Sequence, residues 1–188
     1  MKKSIKKIGS FALLALVLFS SCKKDEETET PVEVTKHYVQ INDTKIKMDY
    51  MFDLYRDDYV SNDYMHRYLL VEKTVSYNTY MSSLMGNGDG FDFVIKSTNN
   101  SFLPDGEYVL NPSSPSPGSG VIEKATFYSE YDFFMEGGEQ FVMKSGSCTI
   151  TGTGAVGAYK IEGTFIGNDN KEYKIFFDGT VEKHYFDY

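Results

Sequence analysis

Tryptophan is absent from this chain of 188 residues, and cysteine and histidine are scarce. The two cysteines, Cys22 and Cys148, are too few for a fold held together by several disulfides. The three histidines, His37, His66 and His184, form no close pair and no H-E-x-x-H motif. Because zinc needs three or four ligands, this spacing predicts no metal site, and we expect no cofactor.

Basic residues are also fewer than acidic residues. The chain has 19 lysines and arginines against 27 acidic residues, a formal net charge of −8. A nucleic-acid-binding protein needs a basic face that neutralises phosphates, so this class of partner is not expected.

Long hydrophobic runs are missing as well. The most apolar stretch, residues 11–19, follows four lysines at positions 2, 3, 6 and 7. It is much shorter than the roughly 20 residues that cross a bilayer. A basic start, a short apolar core and a small-residue exit are typical of a secretory signal.

The end of that signal is distinctive. Residues 18–22, Leu-Phe-Ser-Ser-Cys, resemble the lipobox of bacterial lipoproteins, and residues 23–27, Lys-Lys-Asp-Glu-Glu, resemble the export signal of Bacteroidetes-type surface lipoproteins. The resemblance implies that residues 1–21 are removed, that Cys22 carries the lipid, and that the protein is anchored in the outer membrane, facing the cell exterior. The alternative is a secreted protein in which Cys22 is incidental.

Removal of the signal makes the chain more acidic. Loss of its four lysines leaves 15 basic and 27 acidic side chains, a net charge of −12. Residues 22–35 are polar and charged and predict a flexible acidic tether. Residues 36–188 then predict a single β-rich domain, which we expect to be monomeric.

From residue 36 the hydrophobic pattern has a period of two, which is typical of β-strands. Residues 45–54 predict one half-buried strand, with Met51 and Asp53 on its mostly charged face. Residues 55–65 predict a loop, and 86–90 a flexible turn. Residues 173–182 predict one long strand with a bulge at Gly179, or alternatively a hairpin turn at Asp178 and Gly179.

These patterns predict an all-β fold without a confident helix. We expect an antiparallel β-sandwich or squat barrel of about nine to ten strands, because the segments follow one another at hairpin spacing. A glycine-rich turn and a strand are followed by Leu-Pro-Asp-Gly-Glu-Tyr at residues 103–108 and by paired strands near Gly163 and Gly179. This order is similar to that of small β-rich surface lipoproteins of Bacteroidetes whose function is mostly unassigned.

Catalytic motifs are weak. Residues 152–157 match G-x-G-x-x-G, but a dinucleotide site needs a helix after the glycines, and an alternating strand follows here; a glycine-rich hairpin is expected instead. No serine lies in a G-x-S-x-G elbow, and spacing selects no carboxylate pair. Cys148 lies in a strand-like run and is expected to be a buried small hydrophobe.

Tyrosine is abundant, with 15 residues. Because a tyrosine offers a flat apolar ring and a hydroxyl, the cluster between residues 50 and 80 predicts a sugar- or peptide-binding surface. The candidate residues are Tyr55, Tyr59, Tyr64, Tyr68, Tyr77 and Tyr80. The alternative is that these are ordinary sheet residues.

The sequence therefore predicts a cell-surface lipoprotein that binds an extracellular ligand, a glycan or other nutrient, without catalysis. A structural or adhesive protein that contacts other envelope proteins is the alternative, and a glycoside-type hydrolase is the third. The expected partners are the membrane, through the lipid, and a glycan or an envelope protein.

Overall fold

The computed structural model describes residues 36–58, 63–98, 103–113, 120–152 and 156–186, all of which belong to one compact unit. Cys22, Tyr59 and the expectations for residues 1–35 lie outside this part of the chain. Thirteen strands and no helix occur among the described residues, so the all-β prediction is confirmed. No helix that could span a bilayer is found in them.

The strands are numbered in chain order. They are β1 (Tyr38–Ile41), β2 (Thr44–Lys47), β3 (Tyr50–Asp58), β4 (Asp63–Val71), β5 (Ser76–Asn78), β6 (Ser83–Met85), β7 (Asn87–Ser97), β8 (Gly106–Leu110), β9 (Val121–Asp132), β10 (Gly137–Gly152), β11 (Ala158–Gly167), β12 (Glu172–Thr180) and β13 (Glu182–Tyr185).

Eleven strands form one curled sheet in the order β13-β3-β4-β7-β9-β8-β10-β11-β12-β1-β2, and β5 and β6 form a separate hairpin. Most neighbours are antiparallel, but β13 pairs with β3, and β8 with β9, in parallel. In place of the predicted antiparallel sandwich or squat barrel of about nine to ten strands, the described residues form a curled mixed sheet of 11 strands and a small second sheet. The chain forms one mixed sheet because it crosses from β12 to the opposite edge after Val181 instead of turning back.

The junction between β9 and β10 explains how β8 joins the sheet. Near their shared turn the two strands pair directly, from Gly137 opposite Asp132 to Val142 opposite Thr126. Farther from the turn they separate, and β8 fills the gap by pairing with Val121 of β9 and Ser147 of β10. This wedge widens the sheet with no extra hairpin, which a strand count from sequence does not anticipate.

Strands β3 and β4 are buried on both faces. Their inner face, which carries Met51 and Tyr68, joins the larger core, whereas their outer face, which carries Phe52, Leu54 and Leu69, joins a smaller one. The prediction for residues 45–54 is thus wrong in two ways. The stretch divides into β2 and β3, and the β3 part of its expected charged face, Met51 and Asp53, is buried in the main core, whereas Lys45 and Lys47 of β2 are exposed as expected.

Several local predictions are also wrong. The expected loop at residues 55–65 is mostly strand, since β3 continues to Asp58 and β4 begins at Asp63, and the turn at 86–90 is largely the start of β7. Gly179 stays in register opposite Tyr159, so neither the bulge nor the hairpin turn is present there.

The glycine-rich segment at residues 152–157 and the environment of Cys148 agree with the predictions for them. Residues 152–157 join two antiparallel strands, as expected for a hairpin, although 153–155 lie outside the described residues. Cys148 is buried and free, as predicted. Burial raises the pKa of its thiol to about 12, so the reactive thiolate is suppressed at neutral pH. Gly163 lies directly opposite, where a Cβ atom would come within 2.7 Å of the Cys148 Cβ.

Candidate functional site

The outer face of strands β3, β4, β7 and β9 carries a row of side chains that alternation brings into line. Leu54 pairs with Arg67, Arg67 with Val94, and Val94 with Lys124 across the four strands. Since residues two apart share a face, Arg56 lies one row to one side of this line and Asp92 one row to the other. Along this row the apolar side chains of Leu54 and Val94 therefore alternate with the cationic side chains of Arg67 and Lys124.

This face borders a cavity of about 480 Å³, here called the outer cavity. The β5–β6 hairpin, the β9–β10 turn and the segment after β13 supply its other sides. Its lining residues are Leu54, Arg56, Met65, Arg67, Ser83, Leu84, Asp92, Val94, Lys124, Tyr128, Tyr131, Phe133, Phe134, Glu136, Gln140 and Phe186. The volume is within the range typical of small-molecule sites.

A hydrogen-bonded triangle crosses the outer cavity. The Arg67 Nε donates to Asp92 Oδ2 at 2.7 Å, and one of its terminal nitrogens donates to the Tyr128 hydroxyl at 3.0 Å. The same hydroxyl donates to Asp92 Oδ2, also at 3.0 Å. Burial, reinforced by Asp92, raises the pKa of Tyr128 well above its ordinary value, so the phenol stays a donor. The triangle fixes Arg67 in place.

Two buried polar atoms at the outer cavity lack a partner within the described part of the chain. They are Oδ1 of Asp92, a residue only 2% exposed, and the hydroxyl of Ser83 on the covering hairpin. Because buried polar groups are nearly always hydrogen-bonded, such atoms mark a place where a ligand or an ordered water completes the bonding.

Aromatic rings form one side of the outer cavity. The ring centroids of Tyr128 and Tyr131 are 4.8 Å apart, and Phe133 lies 5.1 Å from Tyr131 and 5.4 Å from Tyr128. The Tyr131 hydroxyl accepts a hydrogen bond of 2.9 Å from Gln140. Phe134, which is 46% exposed, extends this aromatic surface toward solvent.

The β5–β6 hairpin is fixed over the sheet by side-chain contacts. The Tyr77 ring stacks on His184 of β13 at 4.1 Å, and its hydroxyl donates to the Tyr185 carbonyl at 3.1 Å. Val75 and Leu84 are buried in the smaller core below. The hairpin is therefore a packed element, and the outer cavity is preformed.

The described residues of the predicted tyrosine cluster do not form one exposed surface, although Tyr55, Tyr64 and Tyr68 share the inner face of β3 and β4. Tyr68 is fully buried in the main core, and burial raises its pKa well above normal, so it is not a surface residue. Tyr55 packs edge-on against Tyr185 at 5.4 Å, Tyr64 is half-buried on β4, and Tyr80 is fully exposed at the tip of the β5–β6 hairpin. Neither these four nor Tyr77 lines the outer cavity.

A second polar cluster lies on the inner face. The two Asp53 oxygens are 2.9 and 3.0 Å from Nδ1 of His66, and both side chains are completely buried. Lys183 of β13 places its Nζ 3.8 Å from Asp53 and lies over the Tyr55 ring. Burial lowers the pKa of Lys183, and Asp53 opposes that shift. This cluster ties the parallel edge strand to the core.

A shallower groove of about 310 Å³ lies on the opposite part of the sheet, over β1, β10, β11 and β12. Tyr38 stacks on Phe176 at 5.4 Å there, with Lys45 over the first ring and Lys160 over the second. It contains no buried polar atom without a partner among the described residues, which distinguishes it from the outer cavity.

The residues predicted from sequence did not include Arg56, Arg67, Asp92, Lys124 or Tyr128. One signal was available: the run at residues 68–71, Tyr-Leu-Leu-Val, is apolar without alternation, which is typical of a strand buried on both faces.

No known family model matches this chain, and neither a curated protein nor a solved structure is significantly similar to it.

Proposed function

We propose that this protein is a cell-surface lipoprotein that binds an extracellular saccharide in the outer cavity, without catalysis. The observation that carries the proposal is the combination, in one preformed cavity, of stacked aromatic rings with buried polar atoms that lack partners. A sugar ring offers both complements: an apolar face that packs on an aromatic side chain, and hydroxyls that satisfy isolated donors and acceptors.

The arrangement of the carboxylates favours binding over hydrolysis. A glycosidase uses one carboxylic acid to protonate the leaving oxygen and a second carboxylate opposite it. Of the two carboxylates at the outer cavity, Asp92 already accepts hydrogen bonds from Arg67 and Tyr128 on Oδ2, so this oxygen holds neighbouring side chains in position. Glu136 lies on the exposed β9–β10 turn.

The membrane location rests on the sequence. We propose that Cys22 is acylated and holds the domain at the outer membrane, facing the cell exterior. Replacing Cys22 with serine should abolish incorporation of labelled palmitate and release the protein from the membrane fraction, because two or more acyl chains are needed for stable anchoring. Cys148→Ser is the matched control and should keep the label. Equal labelling of the Cys22→Ser protein would contradict the anchor.

The saccharide proposal predicts a selective effect at the rim of the outer cavity. A panel of oligosaccharides titrated calorimetrically against the full mature chain in detergent should reveal at least one ligand. Phe134→Ala should weaken that ligand's binding about tenfold, since an aromatic contact contributes about 1 kcal/mol. Phe134 is partly exposed, so its loss should leave the fold intact.

The neighbouring Met135→Ala is the matched control, because Met135 is 73% exposed and does not line the outer cavity. It should bind as the unmodified chain does. Absence of binding by every oligosaccharide, or an equal loss in both variants, would count against the proposal.

The groove at Tyr38 and Phe176 favours a second candidate function, contact with another envelope protein. Two stacked aromatic rings flanked by Lys45 and Lys160, next to the sheet-edge strand β2, form a flat surface of the kind enriched at protein interfaces. This alternative predicts that a partner is captured by the unmodified chain and lost with Tyr38→Ala, while Phe134→Ala captures it normally.

A further inference from the structure

We infer that the saccharide bound in the outer cavity is anionic, carrying a carboxylate or a sulfate group. This inference rests on the proposed function and names the class of ligand. It starts from composition: the chain has only two arginines, Arg56 and Arg67, and both line this one cavity. A third cation, Lys124, lines it as well.

The local charge is opposite to that of the protein. The outer cavity carries three cations and two carboxylates, Asp92 and Glu136, in a chain with a net charge of −8. One of the cations is neutralised, since Arg67 pairs with Asp92 at 2.7 Å. Lys124 forms no ion pair with any of the residues that the structure describes, and its side chain is exposed. The charge of Lys124 is therefore available to a ligand.

The residue types are also informative. A guanidinium presents a planar fork of donors that matches the two oxygens of a carboxylate or sulfate, whereas lysine is a point charge. Elsewhere this chain uses lysine for every described ion pair that does not involve histidine. Arginine occurs only on the outer cavity, where planar recognition would matter.

The strand order places these cations on one side of the outer cavity. Arg67 and Lys124 lie in the same row across β4, β7 and β9, and Arg56 lies one row away on β3. The aromatic residues Tyr128, Tyr131 and Phe133 come from the other end of β9 and its turn. A ligand with its acid group toward the cations would therefore place its ring toward the aromatic side.

Asp92 argues for hydroxyls beside the anionic group. Its Oδ1 needs a donor, which a carboxylate or sulfate cannot supply and a sugar hydroxyl or an intervening water can. An inorganic anion alone would leave this atom and the aromatic side without a partner. An acidic sugar satisfies the cations, Asp92 and the rings together.

The test uses trigalacturonate and its methyl ester, which share the same rings and differ in charge. Titrated against the full mature chain in detergent, the acid should bind at least about tenfold more tightly than the ester, and added salt should weaken the acid alone. A sulfated chondroitin disaccharide and inorganic sulfate form separate arms. Preference for the sulfated sugar identifies sulfate as the group, and sulfate alone should bind more weakly than either sugar.

Variants place the charge recognition at the outer cavity. Lys124→Met and Arg56→Met should each weaken the acid about tenfold to a hundredfold and leave the ester nearly unchanged. Arg56→Lys keeps the charge and removes the fork, so it should recover only part of the affinity and guards against misfolding of the methionine variant. Lys45→Met, on the opposite part of the sheet, is the matched control and should bind as the unmodified chain does.

The outcomes separate the two proposals. If the ester and acid bind equally and Phe134→Ala weakens both, saccharide binding stands and the anionic inference is overturned. If no saccharide binds, both proposals fail. If acid binding is unaffected by Lys124→Met and Arg56→Met but falls with Lys45→Met, the anionic group binds elsewhere and the assignment to the outer cavity is wrong.

Discussion

Replacing Asp53 with alanine should lower the free energy of unfolding by about 3–5 kcal/mol. Asp53 and His66 are completely buried, with both carboxylate oxygens within 3.0 Å of the His66 Nδ1. Removing one partner of a buried pair leaves the other in a medium that solvates it poorly. Lys183, 3.8 Å from the same carboxylate, loses its counter-charge as well. Urea unfolding of the full mature chain measures the change.

Two further variants serve as controls for the effect of Asp53→Ala on stability. Asp53→Asn keeps an acceptor for His66 and removes only the charge, so its loss of stability should be smaller than that of Asp53→Ala. Glu162→Ala breaks an ion pair with Lys160 that is exposed at both ends, and should change the unfolding free energy by no more than about 0.5 kcal/mol. A loss below about 1 kcal/mol for Asp53→Ala would show that the pair does not hold the core together.

Gly146→Ala should destabilise the fold by about 2–4 kcal/mol. Gly146 has a φ of +146°, a conformation that side-chain-bearing residues rarely adopt, and it follows the register shift between Met143 and Ser145. A Cβ atom there would lie 2.5 Å from the Thr164 carbonyl oxygen and 2.6 Å from the Phe165 Cα on the paired strand. Because these are backbone atoms, no side-chain rotation relieves the clash.

Gly106→Ala is the matched control for this substitution. Gly106 also lies in a strand of the large sheet, but nothing lies within 4 Å of where its Cβ would be, and its φ is not in the left-handed region. Alanine there should be neutral or slightly stabilising, because it restricts the unfolded chain. If both variants unfold at the same urea concentration, the close contact at Gly146 does not matter to stability.

The sequence predicts the elements of this fold better than their partners. Alternation with a period of two identifies most strands. It does not reveal that β13 pairs with β3, since that pairing joins residues far apart in the chain. Nor does alternation alone tell which face is inside: Met51 and Asp53 were assigned to the charged face, and both are buried in the main core.

The candidate site could not be predicted from the sequence, because its residues are brought together only by the order of strands in the sheet. Arg56, Arg67 and Lys124 occur singly on three strands, and no spacing along the chain connects them. They meet because the sheet order places β3, β4, β7 and β9 side by side with their outer faces aligned. Tyr55, Tyr64 and Tyr68 share the inner face of β3 and β4, but Tyr68 is completely buried there, and Tyr77 and Tyr80 belong to the separate β5–β6 hairpin.

The most direct test of this account is a residue-resolved NMR titration of the full mature chain with trigalacturonate. Binding in the outer cavity predicts saturable shifts at Arg56, Arg67 and Tyr128, with little change at Tyr38 and Phe176. Shifts confined to Tyr38 and Phe176, or no saturable shift at any concentration of trigalacturonate or the sulfated disaccharide, would contradict the proposal that this cavity holds an acidic sugar.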